Sequence, residues 1–133
     1  RDASVYRTTD QPCVLDELSA PNAADWCGLP WSQWSALSDA AAARGVYRIR
    51  RVGDERLLYI GQGLVRSRLS AHLAKATQTD QRQSALFSGA IEASWAVFGG
   101  STLAVQQLLE VENDLIASYV LRTGELPAAQ FLG

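Results

Sequence analysis

The sequence predicts an α+β domain: a small three-stranded sheet with an N-terminal β-hairpin, flanked by helices. Three observations carry this reading. Residues 46–52 and 57–61 are rich in β-branched and aromatic residues and are separated by the polar break Gly53-Asp54-Glu55, the pattern of a hairpin. The stretch "ASWAVF", 93–98, alternates and ends in Gly99-Gly100, which reads as a third strand. Residues 31–44, 64–77 and 102–122 instead repeat apolar residues at helical spacing.

Length and composition fit one domain spanning 1–133, with 1–44 as an N-terminal extension and 45–131 as the core. A chain of 133 residues buries enough surface to fold without a metal or disulfide. With 47% apolar and 20% charged residues, the chain falls in the globular class rather than the disordered one. No apolar run approaches the ~20 residues of a membrane span, so no membrane partner is expected. No signal peptide or lipidation motif is visible. The chain starts at Arg1 and contains no Met, which fits a domain cut from a longer protein. Cys13 and Cys27 would allow one bridge but match no metal-ligand spacing; two buried thiols is the simpler reading.

Along the chain, residues 1–29 show no period and are punctuated by Pro12, Pro21, Gly28 and Pro30, with one short helical turn near 14–18. Over 31–44, Trp31, Trp34, Leu37 and Ala41 make an apolar stripe, and Gly45 can end that helix with a left-handed cap. In the hairpin, parity decides what faces what. A loop of odd length pairs Tyr47 with Gly61 and Ile49 with Tyr59, so both tyrosines project from one side. A loop of four would separate them. Gly53 suits the odd, bulged form. In the next helix Val65, Leu69, Leu73 and Ala76 read as the buried stripe, and Arg68 and His72, four apart, point the same way. The last helix is expected to be capped by Ser101 or Thr102 and to end near Gly124.

One carboxylate does not suit its surroundings. Val105, Leu109, Ile116 and Val120 form a stripe on the last helix, flanked by Ala104, Leu108, Val111 and Leu115. Glu112 occupies a position on the first stripe, while Glu110, Asn113 and Asp114 lie on the polar side. An unpaired carboxylate is costly to bury, so Glu112 reads either as a metal ligand or as half of an ion pair with an arginine. Charge is also uneven. From Arg44 to Lys75 there are eight basic residues against two acids, a local +6 that leaves −8 for the rest of a chain totalling −2. Such a patch can meet a polyanion, although a solvated arginine-rich strand fits equally well. Together Tyr47, Tyr59, Arg68, His72 and Glu112 supply a metal-binding carboxylate, a cation for phosphorus-centred charge and candidate proton acceptors, a set suited to phosphodiester cleavage.

Gly45-Val46-Tyr47, followed after eleven residues by Tyr59-Ile60-Gly61, resembles the paired signature of the GIY-YIG nuclease family. "GQGLVRSRLSAHL" is similar to the family's next block, with its arginine at Arg68, and "LLEVENDLIASY" to its Glu-x-x-Leu-Ile block, with the glutamate at Glu112. The resemblance covers about 45–131. It implies a metal-dependent endonuclease hydrolysing DNA phosphodiesters, with one Mg²⁺ or Mn²⁺ on Glu112. Tyr59 would be the first choice as general base, Tyr47 would support or replace it, His72 would assist, and Arg68 would steady the phosphate. Arg48, Arg50, Gln62, Arg66 and Gln130 are expected to contact substrate. Three features depart from the family: a loop before Arg68 one residue shorter than in many members, Gln62 where some carry Lys, and Gln130 where an asparagine is usual after the closing proline. DNA is the expected partner, with RNA not excluded because such a set sees a phosphate rather than a sugar. No separate DNA-binding domain is present, so the resemblance suggests the terminal toxin domain of a larger effector. Such a domain would act in the cytoplasm of a target cell and be docked by an immunity protein or a further domain. The alternative is a non-catalytic nucleic-acid-binding or protein-interaction module that keeps the fold.

Overall fold

The structure is a computed structural model and describes residues 20–75, 90–98 and 104–130. The expected helical turn near 14–18, Cys13 and Ala76 lie outside the described residues; the last helix is capped not by Ser101 or Thr102 but at Ala104, whose N–H donates to Gln107 Oε1 at 2.9 Å. Strands β1 (Arg44–Arg51) and β2 (Leu57–Leu64) form the hairpin, and β3 (Ile91–Val97) pairs antiparallel with the other side of β1, giving the order β2-β1-β3. Helix α1 (Val65–Lys75) follows β2 without a break, and α2 (Val105–Thr123) follows β3. The α+β architecture with a small antiparallel sheet is therefore as expected.

The hairpin turns over residues 52–56, with Gly53 at φ 83°, a left-handed conformation that glycine adopts freely. Tyr47 pairs with Gly61 and Ile49 with Tyr59, so both tyrosines lie on one face. The expected odd loop is not what places them there: Arg50 pairs with Leu57, which leaves an even loop, and a register shift between Ile49 and Arg50, with Leu58 as the extra residue of a bulge, restores the common face. Gly45 lies in β1 rather than at a helix end. A Cβ there would run into the Ala96 carbonyl of β3, so close approach of two backbones requires the glycine.

Each face of the sheet has its own core. One cluster joins Tyr47, Ile49, Leu58 and Tyr59 to Val65 and Leu69 of α1 and to Ala129. The other joins Val46, Leu57 and Ile60 to Trp26, Leu29 and Trp31 and to Leu108, Val111, Leu115 and Tyr119 of α2. The two helices thus pack against opposite faces of a sheet whose centre is β1.

Three further expectations are corrected. Residues 31–44 do not form an α-helix; only a 3₁₀ turn, Leu37–Asp39, is present. The backbone of this segment instead bonds along β3: Ser32 N donates to Trp95 O (2.7 Å), Ser35 N to Ala93 O (2.9 Å) and Ala93 N to Ser35 O (2.8 Å). A free sheet edge outcompetes helical bonds for these groups. In α1 the third inward residue is His72, 2% exposed, while Leu73 is 47% exposed. In α2 the buried stripe is Leu108, Val111, Leu115 and Tyr119, whereas Val105 and Leu109 are largely exposed. Glu112 therefore stands at the border of the core and not within it. The C-terminus of α2 is as expected: Gly124 (φ 80°) donates from its N–H to Val120 O at 2.7 Å.

Candidate active site

Strand alternation places Tyr47 and Tyr59 side by side, and α1 brings His72 over them. The two phenol rings stack with centroids 6.1 Å apart. The imidazole lies 4.3 Å from the Tyr59 ring and meets Tyr47 edge-on at 5.7 Å. Tyr47 Oη and His72 Nε2 are 2.9 Å apart, a buried hydrogen bond. Tyr47 is 0% exposed and Tyr59 8%, so only Tyr59 of the pair reaches solvent.

Two glycines make this packing possible. A Cβ at Gly61 would overlap the hydroxyl end of the Tyr47 ring, which lies across it. Gly63, at φ 131°, faces the stem of Arg68, so the arginine side chain runs close over bare backbone on its way to the phenols. Arg68 then lies near both phenols and opposes the upward shift of each. Which of Tyr47 Oη and His72 Nε2 donates follows the imidazole tautomer.

The electrostatics follow from burial. Burial pushes the Tyr47 phenol far above its ordinary range, helped by Tyr59 and Glu112 and opposed by Arg68. Burial also raises Tyr59, with Glu112 adding to the effect and Arg68 opposing it. The bond to Tyr47 raises Arg68. Desolvation raises Glu112, and Arg68 draws it back. Glu112 is thus electrostatically coupled to the same arginine and phenols although it comes from the helix on the other face. The residues brought together are Tyr47, Tyr59, Arg68, His72 and Glu112.

The expected substrate contacts are not brought there. Arg48 alternates with Tyr47 and lies on the opposite face, 0% exposed. Its guanidinium stacks 4.2 Å from Trp31 and 4.6 Å from Trp34, donates to Pro21 O at 2.6 Å and to Ser94 Oγ at 3.3 Å, and leaves Nε without a hydrogen-bond partner. Burial lowers its pKa to about 9, which still leaves it charged at neutral pH. Arg50, on the same face, lies 4.0 Å over Trp34 and pairs with Glu92 at 2.8 Å. Gln62 pairs with Val46 and so projects with it, away from the tyrosines. Arg66 is exposed and donates from Nε to Ala40 O at 3.0 Å. Gln130 bonds the main chain of Ile60. Cys27 is buried, its Sγ 3.6 Å from Ser118 Oγ.

Comparison of the chain with protein-family models, with curated proteins and with solved structures finds no match. No helix among the described residues is long and apolar enough to cross a membrane.

A divalent ion would find one carboxylate here. Among the described residues no group of three or more His, Cys, Asp or Glu side chains could form a protein-only cage. A single half-buried carboxylate coupled to an arginine would suit Mg²⁺ or Mn²⁺, which keep water and phosphate oxygens as their other ligands. Glu112 is the residue that would hold it.

Proposed function

We propose that the domain is a metal-dependent endonuclease of GIY-YIG type that hydrolyses nucleic-acid phosphodiesters, DNA first among them. The observation that carries this reading is the convergence of the Tyr47–His72 bond, Tyr59, Arg68 and Glu112 from two strands and two helices, in the order that the sequence motifs give. A bound ion on Glu112 would supply Lewis-acid polarisation of the scissile phosphate. Arg68 would bind the phosphate and offset the charge that builds on it. Tyr59, the more exposed phenol, would take the proton of the attacking water. Tyr47 is buried and bonded to His72; it would orient the imidazole and the Tyr59 ring.

Two of the arginines that made the segment basic face the tryptophans instead, so substrate would be held by few cations. The isolated domain should bind nucleic acid weakly and with little sequence preference, as a toxin domain within a longer effector would if other parts of the effector supplied delivery. Labelled duplex and single-stranded oligonucleotides incubated with Mg²⁺, and with EDTA, test the reading. Metal-dependent product from DNA supports it. Salt-sensitive binding that survives Glu112→Ala, with no cleavage by wild type, would replace it with the non-catalytic binding module.

A further inference from the structure

β2 is the outer strand, and its outward peptide groups need partners. The segment after α2 supplies them. Ala128 N donates to Leu57 O at 3.2 Å and Ala129 N to Leu58 O at 2.8 Å. At Ile60 a side chain takes over this edge. Gln130 Oε1 accepts the Ile60 N–H at 2.9 Å, and Gln130 Nε2 donates to the Ile60 carbonyl at 2.8 Å. A primary amide presents one acceptor and one donor in a plane, as a peptide unit does, so Gln130 stands in for a residue of a further strand. Ile60 lies between Tyr59 and Gly61, the glycine over which the Tyr47 ring rests. Ala129, fully buried, packs in the same cluster as both tyrosines.

We propose that Gln130 is a positioning residue: its amide bracket on Ile60 fixes the Tyr59–Gly61 peptides, and so the reach of the Tyr59 hydroxyl toward Arg68 and Glu112. Its catalytic consequence rests on the nuclease reading. Gln130 therefore acts through main chain rather than by touching substrate. Length matters as well as chemistry: Asn is one methylene shorter and cannot make both bonds from the same backbone position. Glu keeps the length and the acceptor but turns a second oxygen toward the Ile60 carbonyl.

The test uses Gln130→Ala, Gln130→Asn and the near-isosteric Gln130→Glu, with the last as the variant that keeps side-chain volume. Two readouts are taken on each: amide hydrogen exchange at Ile60 with the Tyr59 ring resonances, and cleavage kinetics on a labelled duplex with Mg²⁺. The expected result is exchange at Ile60 faster by about tenfold or more and shifted Tyr59 resonances. In cleavage, kcat should fall about tenfold or more while KM stays within about twofold, because misplacement of a reacting group costs rate rather than binding. A raised KM at unchanged kcat would make Gln130 a substrate contact and overturn the proposal. So would unchanged exchange and unchanged Tyr59 resonances in all three variants. If wild type cleaves no faster than Glu112→Ala, the nuclease reading fails, and the exchange and ring measurements still decide whether Gln130 positions this segment.

Discussion

Tyr47 Oη lies 2.9 Å from His72 Nε2, and the two side chains are 0% and 2% exposed. This pair joins the central strand to α1 beneath the more accessible Tyr59. Removing the hydroxyl alone tests its weight. Tyr47→Phe should keep the stacked ring and cost about 1 kcal/mol in urea unfolding, the usual net value of one buried hydrogen bond. Because the chain has one histidine, the imidazole signals of this variant in NMR are unambiguous and should move.

The less deeply buried phenol, Tyr59, should matter more to chemistry. Tyr59→Phe should lower metal-dependent cleavage by about 10²–10⁴, the range for loss of a general base, with folding intact by circular dichroism. Tyr47→Phe should lower it less. The reverse ranking would move the base to Tyr47.

Gly61 is held by a steric demand rather than a turn. Gly61→Ala places a methyl group where the Tyr47 ring ends. It should destabilise by about 1–3 kcal/mol, as overpacking does. Combining it with Tyr47→Ala should cost less than the sum of the two single changes, because the shared clash is gone. Strict additivity in thermal unfolding would show that the contact is not made.

The pH dependence has a definite sign. Burial raises Glu112, so the fold prefers its protonated form. As pH rises through and above the ordinary carboxylate value, the unfolded chain loses this proton first, and stability falls across that window. Glu112→Gln should remove this fall and be slightly more stable than wild type at neutral pH. A less stable variant would mean that the Arg68 attraction outweighs desolvation. Both phenols are raised as well, so cleavage that uses Tyr59 as base should keep increasing by about tenfold per pH unit above neutrality instead of levelling off.

Much of this was legible in the sequence, for physical reasons that also explain the failures. The shared face of Tyr47 and Tyr59 needs more than the turn: next to it Arg50 pairs with Leu57, a register that would separate the phenols, and the bulge at Leu58, which no sequence pattern announces, brings Tyr59 back opposite Ile49. Strand alternation implies that Arg48 and Arg50 face away from Tyr47. The net charge of the segment is blind to this alternation. Trp31, Trp34 and Leu37 are spaced as on a helix, yet the available β3 edge and the Arg48 guanidinium hold this segment extended. The two apolar stripes on α2 differ only in which one the sheet covers; it covers that of Leu108, Val111 and Leu115, so Glu112 lies at the border of the core. No local pattern announces the Gln130 bracket, since it depends on where the chain returns after α2.

The Arg48 clamp carries a prediction of its own. Arg48→Lys keeps the charge but loses the planar stack on Trp31 and Trp34 and the forked donation to Pro21 and Ser94. It should cost about 1–3 kcal/mol, the penalty for buried acceptors left without a donor, with a shift in tryptophan emission. Nucleic-acid binding by the folded variant should be unchanged. A loss of affinity without loss of stability would return Arg48 to the substrate face.

Under the proposed function, Glu112, Arg68 and the tyrosine pair act as one hydrolytic site. The most direct test of that reading is the nicking of supercoiled plasmid with Mg²⁺ or Mn²⁺ by wild type, Glu112→Ala and Arg68→Ala, each purified in the same way and shown to be folded. Wild type should convert supercoiled to open-circular DNA, EDTA should stop it, and both variants should be slower by at least about 10². Equal rates for wild type and Glu112→Ala, or no nicking with either metal, would contradict it.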